Sequence, residues 1–447
     1  MTRLLLLLLP LSTLAVEPLP LGNRFWQSDE FLAAFAGSYR VNAAIEPIVT
    51  DETHALLLSL QEPLKKGQRK TALSRLQASP LTSKSAPLLF NQGNLQFELG
   101  QLDEAAESFR AALALTPDFR RAHRNLGILH FRQEKPEEAL THLTRAIQLG
   151  DNEALTWGLL GHIRQNQGQE RAALDAYRLA RLLEPENPQW ISGLAQALAA
   201  NDQLPSALRT ADEWVASDPE SPLAYFTRSL LHQQAGDYPA AAADLVWLRE
   251  TEELSAPQHL DLALLLLRLD LAEEARTAFQ QAFEDETPPR PERALQALTT
   301  THRLQAHALL PELMQRFDDA YSDLAPDLAS ARQRLETLHL AATGQNQLAL
   351  PRLETLVAEN PGDGEALLAL ARLLQTSQPG QAKLLLEQAA HLADWKQPAL
   401  RALAQLLIAQ GAYPAAVETL DQLLSLSPPD EKLQEYRDQL AQLALPR

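Results

Sequence analysis

The sequence repeats itself at intervals of 34 residues. Gly93, Gly127 and Gly161 are separated by this interval, and Ala195 follows at the next step. A second position carries alanine in successive copies, at Ala105, Ala139, Ala173 and Ala207. A fixed period of about 20 to 50 residues indicates one supersecondary unit copied along the chain. The period therefore restricts the fold to a stack of similar units.

Each copy has the pattern of two amphipathic helices joined by a turn. In the copy that begins at residue 86, apolar residues recur at three- and four-residue spacing in two segments, one on either side of Gly100. Glycine favours the positive φ that ends a helix, and Pro117 cannot continue the second helix. One helix pair cannot bury its apolar face alone, so neighbouring copies must stack.

Paired acidic residues recur at one phase of the repeat. They are Asp103–Glu104, Glu137–Glu138 and Glu273–Glu274, and each pair falls where the second helix should begin. The positive end of a helix dipole stabilises a carboxylate there by about 0.3–1 kcal/mol. We therefore interpret these carboxylates as helix-start residues rather than as acid–base pairs of an active site.

This pattern resembles the tetratricopeptide repeat (TPR), a helix–turn–helix unit of 34 residues. Five consecutive copies match well and four later ones more weakly, at 86–119, 120–153, 154–187, 188–221, 222–255, 256–289, 330–363, 364–396 and 397–430. The resemblance implies an all-α fold, a right-handed α-solenoid of TPR units with a C-terminal capping helix. It also implies that the first helices line a concave groove for a protein segment.

The pattern predicts six segments along the chain. They are a signal peptide (1–15), an N-terminal segment with one short helix from Asp29 to Phe35 (16–52), a first TPR array (53–289), a degenerate helical joint (290–329), a second TPR array (330–429) and a capping helix (430–447). Ser28 is the expected N-cap of the short helix. The joint is helical in pattern but out of register with the repeats.

The first residues have the features of a secretory signal. Arg3 precedes the run Leu4–Leu9, and Thr13–Leu14–Ala15 ends in a small residue, as signal peptidase requires. The apolar stretch is too short to cross a hydrocarbon core of about 30 Å. We expect cleavage, no membrane span afterwards and a periplasmic location; an uncleaved anchor is the alternative.

Composition excludes several classes of function. The chain has 57 acidic and 39 basic residues, which argues against binding to nucleic acid, and it has no cysteine. No catalytic or nucleotide-binding motif is present, and no two histidines lie three or four residues apart. We therefore expect no enzyme activity, no cofactor and no metal. An enzyme site in the joint is the alternative, with titratable side chains at His302, His307, Asp318, Asp319 and Tyr321.

The resemblance places ten candidate residues on the predicted groove. They are Phe90, Asn91, Asn94, Phe97, Arg121, Arg124, Asn125, Phe131, Arg132 and Asn166. Asparagine amides can bond to a peptide backbone, phenylalanine can anchor apolar side chains, and arginine can pair with carboxylates. The sequence thus predicts a groove for a protein or peptide segment, against the alternative of an ordinary solvated helix face.

A second resemblance concerns residues 31–52. The stretches Phe31–Tyr39, Ile45–Glu46–Pro47 and Thr50–Asp51–Glu52 are similar to the leader of secreted TPR proteins of TonB energy-transduction systems in Gram-negative bacteria. This resemblance implies a periplasmic scaffold that serves the TonB–ExbB–ExbD complex. The alternative is a TPR scaffold for envelope polysaccharide export or outer-membrane protein assembly.

Overall fold

A computed structural model of the protein describes residues 28, 31, 46–251, 254–426 and 431–443. Within these residues there are 23 α-helices and no strand, so the predicted all-α fold is confirmed. The predicted signal peptide and most of the N-terminal segment lie outside the described residues. Ser28 Oγ accepts a hydrogen bond from the Phe31 backbone N–H at 3.1 Å, as expected of an N-cap.

The chain divides into two compact units, Met1–Glu252 (unit 1) and Glu253–Arg447 (unit 2). In each unit consecutive helices pack on one another as pairs, and each pair stacks on the next. The predicted segment boundaries, with a joint at 290–329, remain predictions.

The described part of unit 1 consists of twelve α-helices and one short 3-10 helix (Thr82–Lys84). The α-helices are α1 (Asp51–Lys65), α2 (Arg69–Ala78), α3 (Ala86–Glu98), α4 (Leu102–Leu115), α5 (Arg120–Arg132), α6 (Pro136–Gln148), α7 (Ala154–Asn166), α8 (Glu170–Leu183), α9 (Pro188–Ala200), α10 (Leu204–Ser217), α11 (Pro222–Ala235) and α12 (Tyr238–Thr251).

The described part of unit 2 consists of eleven α-helices and a 3-10 helix (Ala393–Trp395). The α-helices are α13 (Ala256–Arg268), α14 (Ala272–Glu284), α15 (Pro291–Arg303), α16 (Leu310–Ala320), α17 (Pro326–Ala342), α18 (Asn346–Glu359), α19 (Gly364–Leu374), α20 (Pro379–Ala390), α21 (Lys396–Ala409), α22 (Tyr413–Leu424) and α23 (Glu431–Leu443). In α23, Leu440 is buried against Leu420 and Leu423 of α22.

Left-handed residues close the turns within the helix pairs. Gly100 has φ 77°, as the sequence predicts, and Gly168, Gly236, Gly344 and Gly411 are also left-handed. The corresponding residues of other turns are not glycine; they are Glu134, Asp202, Asp270 and Gln305, with φ between 58° and 61°. Gln305 lies between α15 and α16, so residues 290–329 contain a helix pair closed by the same kind of turn.

Small residues allow the helices of a pair to approach closely. A Cβ at Gly93 would lie 2.7 Å from Cε1 of Phe109, and one at Gly161 would lie 3.0 Å from Cδ2 of Tyr177. Both aromatic rings are fully buried. The paired acids of the sequence begin α4, α6 and α14, as predicted.

No helix in the described part of the chain has both the length and the apolarity that a membrane crossing needs.

Candidate functional site

The ten predicted groove residues lie on three successive first helices of unit 1. We call them the unit-1 groove: Phe90, Asn91, Asn94 and Phe97 on α3, Arg121, Arg124, Asn125, Phe131 and Arg132 on α5, and Asn166 on α7. The first helices lie side by side because each pair stacks on its neighbour. Five of the ten are buried: Phe90, Asn94, Phe97, Arg124 and Asn125.

Two buried amides link α3 to α5 at the centre of the groove. Asn125 Nδ2 donates to Asn94 Oδ1 at 2.9 Å, and Arg124 Nε donates to Asn125 Oδ1 at 3.3 Å. Asn94 Nδ2 is buried and has no hydrogen-bond partner among the described residues. An amide donor left unpaired in this way costs stability unless another acceptor reaches it.

Arg124 carries a buried charge into this centre. Burial lowers the pKa of its guanidinium, while Asp151 and Glu153 oppose that shift by attraction. The Glu153 Oε1 atom lies 4.0 Å from Arg124 Nη1.

Two guanidinium groups lie over aromatic rings of α3. The Cζ atom of Arg121 is 5.4 Å from the ring centroid of Phe90, and that of Arg132 is 5.1 Å from the centroid of Phe97. Such cation–π contacts contribute about 0.5–1 kcal/mol at exposed sites. The Phe90 ring also packs on Phe119, with 5.0 Å between centroids, so it belongs to the hydrophobic core as well.

The groove continues to α7 through Phe131. Its ring meets the imidazole of His162 edge to face at a centroid distance of 5.2 Å, and His162 Nε2 lies 3.1 Å from Asn166 Nδ2. Burial lowers the pKa of His162 to about 4, so this ring is neutral at neutral pH. Asn166 is exposed, whereas Asn91 is half-buried and donates to Pro87 O at 2.7 Å.

Two residues that precede α1 lie on this surface. The Phe31 ring is buried and lies 6.0 Å from the Phe97 ring between centroids. The Glu46 carboxylate pairs with Arg121 Nε at 3.0 Å and with Arg120 Nη2 at 3.4 Å, and its side chain is only 5% exposed. The unit-1 groove therefore already holds an aromatic ring and a carboxylate from the chain itself.

A cavity of about 640 Å³ lies beside Phe31. Its lining includes Ser28, Phe31, Leu155, Pro188 and Trp190. The space next to the Phe31 ring is thus open enough to admit further side chains. Repeat spacing gives no signal for these contacts, because Phe31 and Glu46 lie outside the repeats.

The alternative enzyme site in residues 290–329 is only partly assembled. The rings of His302 and His307 lie 5.2 Å apart between centroids. The acids have other partners, since Asp318 binds Arg332 and Asp319 accepts from Gln315. Tyr321 donates its hydroxyl to the carbonyl oxygen of Pro289. These five side chains therefore do not converge on one point.

Comparison with known families identifies the repeat. Two sequence models, each described as a tetratricopeptide repeat, match residues 90–154, 159–222 and 226–291, and residues 373–440. Together the matches cover more than half of the chain and include all of the unit-1 groove.

Known relatives match only a part of the chain. A tetratricopeptide repeat-containing protein, trd-1, of Caenorhabditis elegans is 28% identical over 152 residues, which is 34% of this chain and 20% of that protein. Cellulose synthase operon protein C of Pseudomonas fluorescens (strain SBW25) is 27% identical over 161 residues, which is 34% of this chain and 12% of that protein. The chain thus spans at most a fifth of the length of these two relatives.

A solved tetratricopeptide repeat protein from Parabacteroides merdae is similar at 18% identity, with a TM-score of 0.45. The similarity covers 56% of this chain and 98% of that one.

Proposed function

Because the chain belongs to the tetratricopeptide repeat family, we propose that it is a non-enzymatic scaffold whose unit-1 groove binds an extended protein segment. The family supports protein–protein interaction in general, and the groove supplies a place for it. The contacts of Phe31 and Glu46 carry the proposal. They indicate what the groove accepts, namely an aromatic side chain over Phe97 and a carboxylate between Arg120 and Arg121.

The electrostatics of the groove favour such a segment. Arg120, Arg121, Arg124 and Arg132 gather on α5 although the chain as a whole is strongly acidic. A carboxylate can form short charge-assisted hydrogen bonds with these groups, as Glu46 does. The unpaired Nδ2 of Asn94 is a donor for a backbone carbonyl of the bound segment. The partner that fits is therefore a segment with acidic and aromatic residues.

A peptide with the sequence of residues 28–46, added to the full chain, tests the proposal. In the intact protein the tethered Phe31 and Glu46 compete with it at a high effective concentration. We expect the variant Phe31→Ala/Glu46→Gln to bind the labelled peptide at least tenfold more tightly than the wild type, by fluorescence anisotropy. Adding Arg120→Glu and Arg121→Glu to this variant should abolish binding.

Arg171→Glu is the matched control, because Arg171 is exposed on α8, a second helix of unit 1. It should leave peptide binding unchanged. Equal binding by the wild type and by the Phe31→Ala/Glu46→Gln variant, or none by either, would contradict a role for the groove.

We further propose that the scaffold works in the periplasm. The predicted signal at 1–15 supports export. The leader resemblance of residues 31–52 supports the TonB–ExbB–ExbD system as its setting. The identity with cellulose synthase operon protein C over 161 residues supports the alternative, a scaffold for envelope polysaccharide export.

A photo-crosslinking amino acid at the exposed groove position Asn166 separates the two settings in cells. Crosslinks to TonB, ExbB or ExbD would favour energy transduction, and crosslinks to glycan-synthesis or export proteins would favour the alternative. Mass spectrometry of the N-terminus tests export, since an unprocessed cytoplasmic chain would contradict both.

A further inference from the structure

Three histidines of unit 2 lie together although the sequence separates them. His302 lies in the last turn of α15, His307 follows in the turn after it, and His339 lies on α17. The ring centroids of His302 and His307 are 5.2 Å apart, and those of His307 and His339 are 5.9 Å apart. One ring nitrogen from each residue lies within 4.8 Å of the other two. The cluster thus joins one repeat to the next.

The Nδ1 atoms of all three rings are buried and lack a hydrogen-bond partner among the described residues. Buried polar atoms are normally paired, and an unpaired one costs about 1–3 kcal/mol. Three in one place require an explanation. A metal ion would accept an electron pair from one ring nitrogen of each residue, since three such atoms lie within 4.8 Å of one another.

A second histidine cluster in unit 1 is built differently. There His123 Nδ1 and His142 Nδ1 lie 3.0 Å apart as a hydrogen-bonded pair, and His123 Nε2 bonds to the carbonyl of Pro117. His130 stacks on His142 with 5.7 Å between ring centroids, and its buried Nδ1 lacks a hydrogen-bond partner among the described residues. The unit-2 cluster differs in that none of its three Nδ1 atoms has a hydrogen-bond partner among the described residues.

The turn that holds His307 has the same left-handed residue that closes other helix pairs of the chain. Gln305 has φ 60°, and the Ala306 N–H bonds to the carbonyl of Thr301 at 3.2 Å, which folds the chain back on α15. This geometry directs residue 307 towards His302. The nearby cation Arg334 is compensated by Asp363 and Glu365, which it contacts at 2.5–2.9 Å. The two carboxylates therefore reduce the repulsion between Arg334 and a metal ion bound near it.

We propose that His302, His307 and His339 bind one divalent late transition metal ion, of the class of Zn²⁺, Ni²⁺ and Cu²⁺. Imidazole nitrogen suits these ions, whereas Mg²⁺ and Ca²⁺ prefer oxygen ligands. Tetrahedral Zn²⁺ with Zn–N bonds of about 2.0–2.1 Å needs ligand nitrogens about 3.3 Å apart. The candidate nitrogens lie within 4.8 Å of one another, so binding draws them closer by up to about 1.5 Å. A fourth position stays open for water or an exogenous ligand.

The bound ion joins α15 and its turn to α17, so it acts as a crosslink between successive repeats of unit 2. Helix spacing in the sequence does not reveal it, because each ligand comes from a different element. The three histidines lie in unit 2, so metal binding there does not depend on what the unit-1 groove binds.

Isothermal titration of tag-free full chain with Zn²⁺, and then with Ni²⁺ and Cu²⁺, tests the site. We expect one equivalent of Zn²⁺ per chain and a rise in the melting temperature of several degrees. His307→Ala and His339→Ala should each weaken binding at least tenfold. His391→Ala is the control, since His391 is exposed in the same unit, and it should bind as the wild type does.

X-ray absorption of the wild type loaded with one Zn²⁺ provides a readout that needs no variant. Three imidazole ligands per ion are expected. The proposal is overturned if the wild type takes up none of the three ions, if the spectrum contains fewer than two imidazoles, or if the double variant His307→Ala/His339→Ala keeps wild-type affinity. Circular dichroism of each variant verifies that loss of binding is not loss of folding.

Discussion

The indole ring of Trp190 lies directly on the backbone of Gly158, where a Cβ would be 2.0 Å from its Cζ3 atom. The two residues belong to α9 and α7, the first helices of adjacent repeats. Trp190 is fully buried, and its Nε1 donates to Glu184 Oε2 at 2.8 Å, which fixes the ring. The stacking of these two repeats therefore depends on the missing side chain of residue 158.

Gly158→Ala should destabilise the protein by about 2 kcal/mol or more, because the added methyl group must displace a held indole. Urea unfolding followed by circular dichroism measures the change. Gly380→Ala is the control: Gly380 lies in the first turn of α20, and its added Cβ would meet nothing within 4 Å. It should be neutral or slightly stabilising. Equal losses for both variants would contradict the packing argument.

Stability should fall as pH is lowered from 6.5 towards 4. Burial, followed by the charges of His123, His130 and Arg110, lowers the pKa of His142 to about 4, and burial does the same for His162. The two imidazoles take up protons near pH 6.5 in the unfolded chain but only near pH 4 in the folded chain. Their contribution to the free energy of unfolding is therefore complete above pH 6.5 and is lost as the pH falls towards 4.

The expected loss is about 1 kcal/mol per histidine for each pH unit. Urea midpoints at pH 7.5, 6.5 and 5.5 measure it. The double variant His142→Gln/His162→Gln should flatten this slope, and an unchanged slope would argue that other groups cause it.

Arg228→Met should cost about 3 kcal/mol, because it leaves the buried carboxylate of Asp244 without its partner. In the wild type, Arg228 Nη2 and Nε donate to the two oxygens of Asp244 at 2.7 and 3.1 Å. Arg145→Met is the matched control, since its ion pair with Asp118 is largely exposed and contributes little. Chemical denaturation measures the loss in unfolding free energy for each variant. Similar losses for both would refute the role of burial.

Exchanging the charges of Glu46 and Arg121 should restore part of the stability that either single substitution removes. Glu46→Arg and Arg121→Glu each place like charges at 3.0 Å and should destabilise the protein, whereas the double variant should regain about 1 kcal/mol or more of the combined loss. A double-mutant cycle on unfolding free energies measures this coupling. Strictly additive effects would mean that the contact contributes nothing in solution.

Periodic contacts are what the sequence predicts well. Gly93 meets Phe109 sixteen positions later, within one helix pair, and the same arrangement places Gly127 against Leu143. Because such contacts are local and repeated, the residue types alone give the helix pairs and their turns. Residues 290–329 are out of register in the sequence for a physical reason: the connection from α15 to α16 takes six residues (304–309), whereas that from α5 to α6 takes three (133–135).

Contacts between distant or unrepeated residues leave no such signal. Glu46 and Arg121 are 75 positions apart, and His302 and His339 are 37 apart, close to the repeat length but not equal to it. The groove residues were placed by family position, which fixes the helix and its face. It does not reveal that Phe90 is a core ring or that Asn94 and Asn125 are bonded to each other.

The position of Glu46 has a practical consequence for recombinant work. A fragment that starts at α1 would lack both Phe31 and this carboxylate, so Arg120 and Arg121 would lose the acid that neutralises them. Binding assays on such a fragment would report on two arginines that pair with Glu46 in the full chain. Nonspecific binding of acidic proteins to these arginines would be the expected artefact.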